Sequence, residues 1–414
     1  MSTPKIVSII GAGLSGLTLA LALHQQGIPC TLYEMRSAPL DIGGAVMLSP
    51  NALRILDSLG VYARIKSKGY NFENLYFRTK DNKPADSYEF GGEQKYGYAA
   101  LRIYRNVLIT ELSAMVADAG IEIKYHKKFT RVTEETASSV TCEFSDGTTA
   151  TSTVLVGADG IHSKVRKYMY PSLEPMFTKS MGVSAAVPTM QLQLETVHPE
   201  GYNLPVTIMN KTHGAFVMAL QQPDGRETFI GRQKRAPELD RAGWDALLND
   251  KKWCVDYLRE GISSFPAIAQ NAVSTINTDT INIWPFYVVP KLDQWASEFQ
   301  RVVMLGDAAH AIPPTAGQGI NQAFEDVLTF AVVLGRCGGD NLDLARGLRV
   351  WQRGRQKRID RVLELNAQID KRRLPKVTGA GGEVEVDDEP FELRWLYAPD
   401  FGDMVEGWLN GEGL

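Results

Sequence analysis

The sequence predicts an α/β fold: a Rossmann-like, dinucleotide-binding domain with an inserted antiparallel-sheet layer and a long C-terminal helix. Three observations point there. Residues 5–34 read strand, glycine-rich turn, helix, strand; residues between about 180 and 285 change to short alternating strands; residues 342–374 carry one long helical pattern. At ~150 residues per domain, 414 residues suffice for about two or three domains.

Each element has a local reason. Lys5-Ile-Val-Ser-Ile-Ile10 is a short apolar run of the kind buried on both faces of a parallel sheet. It enters Gly11-Ala-Gly-Leu-Ser-Gly16, after which Leu17, Leu19, Ala20, Leu21 and Leu23 form the packed side of a helix ended by Gly27. Residues 29–33 are the second strand, closed by Glu34, and the unit opens a dinucleotide-binding sheet. Residues 49–69 return to helix, with Pro50 near the start. Residues 102–120 read as an amphipathic helix carrying Leu108, Leu112, Met115 and Val116. Strands follow at 121–125, 140–144 and 154–156, with an Asp146-Gly147 turn between two of them. The inserted layer includes strands at 215–220 and 228–232 and one helix near 244–260. The α/β texture resumes at 301–305, followed by Gly306-Asp307 and a helix over 319–335. The expected domains are therefore 1–179 with 286–335 for the nucleotide, 180–285 for the substrate, and 336–414 as C-terminal helix and tail.

Composition excludes several classes. Forty-four basic against 48 acidic side chains give a net charge of -4, not the strongly basic balance of a nucleic-acid-binding domain. Cys30, Cys142, Cys254 and Cys337 are far apart, with no C-x-x-C and no zinc spacing, so no metal site is expected. No apolar run approaches the ~20 residues of a membrane span, and the first strand leaves no room for a signal peptide. The expectation is a cytoplasmic protein whose oligomeric state the sequence does not fix, a monomer being favoured. The helix over 342–374 is dense in arginine and lysine on one side. That side is either a docking surface for an acidic partner or membrane, or a solvated face balanced by the acidic residues 383–389. The solvated face is the reading adopted. Residues 378–389 look like a connector.

Gly11 permits the tight turn, Gly13 lets backbone approach a pyrophosphate, and Gly16 allows close helix-to-strand packing. The helix N-terminus offers unpaired N–H groups to phosphate oxygens. Glu34 lies near the offset of ~20 residues expected for an acid that bonds ribose hydroxyls. This fingerprint does not separate NAD(P) from FAD. Two later motifs do: Val156-Gly-Ala-Asp-Gly-Ile-His-Ser-Lys-Val-Arg166, and the run from Met304-Leu-Gly-Asp-Ala-Ala-His310 through Pro313-Pro-Thr-Ala-Gly-Gln-Gly-Ile-Asn321 to Asp326. With the first, they resemble the signatures of the single-component flavin-dependent aromatic hydroxylases, the group of p-hydroxybenzoate and salicylate hydroxylases. The resemblance covers most of residues 5–370, with three motifs in order.

That resemblance implies FAD as cofactor and NADPH or NADH as a transient reductant. By it, Asp307 bonds a ribityl hydroxyl. Gly317, Gly319, Ile320 and Asn321 set backbone N–H groups and a helix N-terminus against the N1–C2=O edge of the flavin, where a helix N-terminus stabilises negative charge. Asp159 and Gly160 lie near the pyrophosphate and the path of the nicotinamide. Arg105 opens a helix and contacts the cofactor, and Ala45 and Val46, after Gly43-Gly44, run alongside the isoalloxazine. Alternatives stay open: Asp307 and Asp159 could be helix N-caps, and Arg105 a surface arginine. His310 and His162 read as packing residues.

No second G-x-G-x-x-G unit occurs, since Gly379-Ala-Gly-Gly382 follows no strand, and the W-x-W-x-I-P run of flavin halogenases is missing; Trp284-Pro-Phe is not it. Strands 181–187 and 214–220 supply neither phenol nor guanidinium, which weakens the case for an aromatic carboxylate wanting an arginine clamp. Gln25-Gln-Gly-Ile28, Gly43-Gly44 and the Pro313 run look similar to the tetracycline-inactivating branch of the family. The function implied is an NAD(P)H-consuming monooxygenase that inserts one oxygen of O2 into an aromatic or polycyclic small molecule through a flavin C4a-hydroperoxide. The oxidant is the cofactor, so no catalytic side chain is assigned. A flavin oxidase or dehydrogenase of the same fold is the alternative, followed by a non-catalytic escort protein.

Overall fold

The computed structural model describes residues 5–39, 44–338, 342–373 and 391–411. Gly43, the Gly379 run, the connector and the acidic stretch 383–389 lie outside them. A five-stranded parallel sheet forms the centre, in the order Val302–Met304, Val154–Gly157, Val7–Ile10, Cys30–Tyr33, Glu122–Lys124. Every residue of Val7–Ile10 is buried, as its unbroken apolar run requires. Ile9 stands beside Leu32 on one side and Val156 on the other, and Val156 stands beside Val303, which sets the three motif-bearing strands in register. Helices Leu14–Gln25, Arg105–Asp118 and Gly319–Arg336 pack together over this sheet. A small antiparallel sheet of Phe129–Glu135, Val140–Phe144 and Thr149–Ser152 accompanies it.

The second large element is a seven-stranded sheet. Its order is Asn282–Val288, Met176–Pro188, Glu227–Arg235, Gly214–Leu220, Val206–Asn210, Asn74–Thr79, Pro84–Glu89. All neighbours are antiparallel except Val206–Asn210 with Asn74–Thr79, which pair in parallel. The layer thus takes two strands from well before residue 180, a long-range pairing that no local pattern announces. One face carries Met181, Val183, Phe216 and Ile230, and these pack on Cys254, Leu258 and Ile268 from the helices below. Where one helix near 244–260 is expected, there are two, Arg241–Asn249 and Lys251–Arg259. Asp250 ends the first and caps the second by accepting from the Trp253 amide at 2.9 Å.

Three further expectations need correction. The helix over 49–69 is Pro50–Ser58, then a single turn at Tyr62–Ile65 and the strand Tyr70–Phe72. Residues 102–104 are not helical. They belong to the strand Ala100–Tyr104, in which Leu101 and Ile103 enter the core while Arg102 and Tyr104 face the other way. Lastly, the basic side of Leu344–Arg373 is not simply solvated. Arg355 is fully buried and Arg358 nearly so, both paired with acids of another helix. Among the described residues no helix is long and apolar enough to cross a membrane.

Candidate active site

The glycine-rich turn is a cradle with one open wall. Gly11 adopts φ +102° and donates to the Tyr33 carbonyl at 2.9 Å, and a Cβ there would lie 2.7 Å from the Ala158 carbonyl oxygen. A Cβ on Gly16 would lie 1.9 Å from the Gly11 carbonyl oxygen, so helix and turn touch backbone to backbone. Gly13 differs: a Cβ built on it meets nothing within 4 Å. It is the N-cap of Leu14–Gln25, and no side chain caps that helix. The open space therefore faces uncapped N–H groups, the arrangement that binds phosphate oxygens.

Glu34, 5% exposed, has one carboxylate oxygen accepting from the Ala12 amide at 3.0 Å. The other accepts from the Arg36 amide at 2.9 Å and its guanidinium at 3.2 Å. It braces the turn and retains acceptor capacity, since a carboxylate offers about four lone-pair sites. Asp159 divides its two oxygens. Oδ2 accepts from the Lys164 and Val165 amides at 2.7 and 3.2 Å, while Oδ1 is buried with no partner. Burial raises its carboxyl above the usual range, and the Ser163 side chain and then the helix-start N–H groups work against that. The N-cap of Lys164–Met169 is Ser163, which accepts from the Arg166 amide, so Asp159 only supplements the cap with one oxygen; the other is an orphan of the kind that marks a site.

Asp307 is no cap. Gly306, at φ +58°, is the N-cap of the short helix Asp307–His310, and no side chain caps it. The Asp307 surface is exposed, although surrounding protein still desolvates its carboxyl. Crowding pushes its carboxyl up, and His310 and Arg105 pull it back. Arg105 opens Arg105–Asp118, and its amide donates to the Gly44 carbonyl at 3.0 Å. Behind Asp307, the Gly306 amide and the His310 ring both meet Asp326 Oδ2, at 2.8 and 2.5 Å, and His310 packs on Trp295. The two histidines are non-equivalent: His310 belongs to this network, whereas His162 lies against Tyr287.

The Pro313 run ends at Gly317, φ +63°, where a Cβ would strike the Phe90 ring at 2.7 Å. Gly319–Arg336 then starts with no side-chain cap and open space at Gly319. The Asn321 side chain turns inward: it accepts from the Ser49 amide at 2.9 Å and donates to the Met47 and Gly317 carbonyls. That side chain is thus committed within the protein, and Ile320 stays half-buried at the helix start. Ala45 lines the cleft, whereas the Val46 side chain enters the core.

Between this cleft and the seven-stranded sheet is a cavity of about 240 Å³. Gly44, Ala45 and Arg105 border it on one side and Gly182, Gly231, Val217, Phe229, Trp284 and Phe286 on the other. Arg102 also lines it, and sequence reasoning missed it by reading residue 102 as helical. The alternation Leu101, Arg102, Ile103, Tyr104 was the available signal.

Residues 5–338 match a family model described as FAD binding domain. The chain belongs to that family. Its curated relatives include 3-amino-4-hydroxybenzoate 2-monooxygenase of Streptomyces cremeus, 26% identical over 418 residues that cover 96% of this chain and 98% of the relative. Among solved structures, CtdE in complex with FAD and a substrate superposes with a TM-score of 0.78 at 19% identity, covering 98% of both chains. A salicylate hydroxylase substrate complex does so at 0.74 and 21%, with the same coverage. The tetracycline destructase Tet(51) reaches 0.62 at 19%, covering 90% of this chain and 92% of that one. At such identities these structures establish the fold, and the family and its relatives establish an FAD-dependent monooxygenase.

Proposed function

We propose that this FAD-dependent monooxygenase consumes NAD(P)H and inserts one atom of O2 into a small aromatic molecule held in the 240 Å³ cavity. The observation that carries the reading is the position of that cavity, between the Gly44–Ala45–Arg105 border and a wall of Phe229, Trp284 and Phe286. The relative named for 3-amino-4-hydroxybenzoate supports an aromatic substrate.

The residues fit FAD by three independent features: the open side of Gly13, the orphan Asp159 Oδ1 and the exposed Asp307. Gly11, Gly13, Gly16 and Asp159 would hold its pyrophosphate, Glu34 its ribose, and Asp307 and Arg105 its middle. Ala45 and the backbone of Val46 would flank the ring, with the backbone of Gly317, Gly319, Ile320 and Asn321 at its polar edge. When bound, FAD supplies electron acceptance from NAD(P)H and the activation of O2. The protein orients and encloses. Phe229, Trp284 and Phe286 give the substrate ring flat apolar contact and exclude water. The uncapped start of Gly319–Arg336 favours negative charge beside it.

The test is a panel of aromatic acids, phenols, indoles and tetracyclines offered to FAD-loaded protein with NADPH or NADH. The reading expects substrate-stimulated consumption of reductant coupled to a product one oxygen heavier. Consumption that yields hydrogen peroxide with every compound, and no oxygenated product, would instead make this a flavin oxidase.

A further inference from the structure

Among the described residues, one charge in the cavity has no counter-charge. Arg102 is 4% exposed, and its Nε is buried without a hydrogen-bond partner. Its Nη2 donates to the neutral amide oxygen of Gln221 at 3.2 Å, and the guanidinium lies over the Phe229 ring, 4.8 Å from the centroid. The acid of this network, Glu227, is engaged elsewhere: it accepts from the Tyr104 hydroxyl and from the Gln221 amide. Burial pushes the Arg102 guanidinium down to about 10, with Tyr104 working the other way. A buried cation held by one neutral hydrogen bond and an aromatic face is costly in isolation.

The other two arginines at the cavity are differently placed. Arg232 contributes backbone, because its side chain donates to the Leu258 and His213 carbonyls at 3.2 and 2.7 Å and stacks on Phe265 at the far face of the sheet. Arg105 faces Asp307. Among the described residues, Arg102 therefore gives the cavity its unmatched positive charge. The rest of the lining is flat and largely apolar: Phe229, Trp284 and Phe286 are walls, and Gly231, opposite Ser184 on the neighbouring strand, keeps the floor low.

Resting on the reading proposed above, we infer that Arg102 is the anion receptor of the substrate cavity and that the substrate is a compact aromatic carboxylate. Its carboxylate completes the hydrogen bonding of the guanidinium, a pairing whose planar geometry suits both groups. Its ring lies among Phe229, Trp284 and Phe286. A volume of about 240 Å³ lies below the ~300–1,000 Å³ typical of drug-sized ligand pockets, which favours one ring over several. Strands 181–187 and 214–220 carry no arginine. The clamp comes instead from Ala100–Tyr104, a strand of a different sheet.

The test compares matched benzoates and benzamides, 3-amino-4-hydroxybenzoate and its carboxamide among them, titrated into FAD-loaded protein and read by the change in flavin absorbance. Wild type is expected to bind acid over amide by roughly 10- to 100-fold, the span of a hydrogen bond to a charged group. Arg102→Met should bring the ratio to about one, and Arg102→Lys should leave it between. FAD affinity should be unchanged in both. Equal binding of acid and amide by wild type, failure of every acid to bind, or a preference that survives Arg102→Met overturns the inference. A loss of FAD affinity in Arg102→Met would do so too, by assigning the residue to the cofactor. Should that variant not fold, the wild-type ratio decides alone. Oxygenation of neutral phenols in preference to acids would remove the inference and leave the monooxygenase standing. Absence of oxygenation with every compound would remove the monooxygenase reading, whatever the acid-to-amide ratio.

Discussion

Arg355 donates its Nε to Asp326 Oδ1 at 2.7 Å across two helices, with both side chains fully buried. Through Asp326 it reaches the turn that presents Asp307, because the other oxygen of that carboxylate holds the Gly306 amide and the His310 ring. Arg355 also donates to Glu325 at 2.5 Å. Glu325 in turn accepts from Arg358 at 2.5 and 2.8 Å and from Asn51 at 2.7 Å. The C-terminal helix is in this way bolted to the turn that presents Asp307.

Removing Arg355 leaves two buried acids short of a partner. Arg355→Met should cost about 3–5 kcal/mol of stability, the usual consequence of breaking a buried pair from one side, and lower FAD affinity as the Gly306 turn loosens. Chemical denaturation and flavin titration measure the two effects. The pH dependence has a definite sign. Burial works to raise the Asp326 and Glu325 carboxyls, but His310 and Arg355 for the one, Arg358 and Arg355 for the other, hold both below the usual range. Their contribution is therefore complete above the unfolded carboxylate values near pH ~4 and is lost as pH falls through the lower folded values. The stability gap between wild type and Arg355→Met should narrow in that acid range; a gap constant down to acid unfolding contradicts the assignment.

Gly13→Val separates binding from folding. The backbone at Gly13 is extended, at φ -81° and ψ -171°, and a Cβ has room. The variant should fold with a nearly unchanged melting temperature yet purify without flavin colour, since the valine occupies the space a pyrophosphate needs. Gly16→Ala should instead fail to fold, because its Cβ would collide with the Gly11 carbonyl. A yellow Gly13→Val protein would show the phosphate cradle to be misplaced.

Glu34 bonds the Ala12 amide as well as facing the expected ribose. Glu34→Ala should weaken FAD binding by about 1.5–3 kcal/mol, one charged hydrogen bond, while the spectrum of the flavin that remains is unaltered. Glu34→Gln keeps an acceptor for Ala12 and should recover part of the loss. Identical dissociation constants in all three proteins would return Glu34 to a bracing role.

Asp307→Ala should lower FAD occupancy and slow single-turnover reduction by NADPH together. A misplacement of about 1 Å can cost roughly 100-fold in rate. If the residue merely started its helix, the variant would lose about 1 kcal/mol and keep both properties. Melting temperature, FAD dissociation constant and reduction rate on one preparation distinguish these outcomes.

The motifs were legible because their physics is local. A tight turn needs Gly11, a close helix needs Gly16, and an apolar run such as Val7–Ile10 has nowhere to go but the middle of a sheet. What was missed is non-local. Arg102 read as helical because the amphipathic pattern of Arg105–Asp118 was extended three residues too far, across a strand whose alternation is short. Arg355 and Arg358 read as solvated because their counter-charges, Glu325 and Asp326, lie on another helix about thirty residues earlier in the chain. Pairing of Asn74–Thr79 with Val206–Asn210 spans more than a hundred residues and leaves no local trace.

The most direct measurement is oxygen-isotope labelling. FAD-loaded protein, NADPH and an aromatic acid that stimulates its consumption are allowed to turn over under oxygen-18 gas, and the product is weighed by mass spectrometry. A monooxygenase places one oxygen-18 atom in each product molecule. An oxygenated product whose added oxygen carries no label, or a product formed by loss of hydrogen with no oxygen gained, would contradict the account.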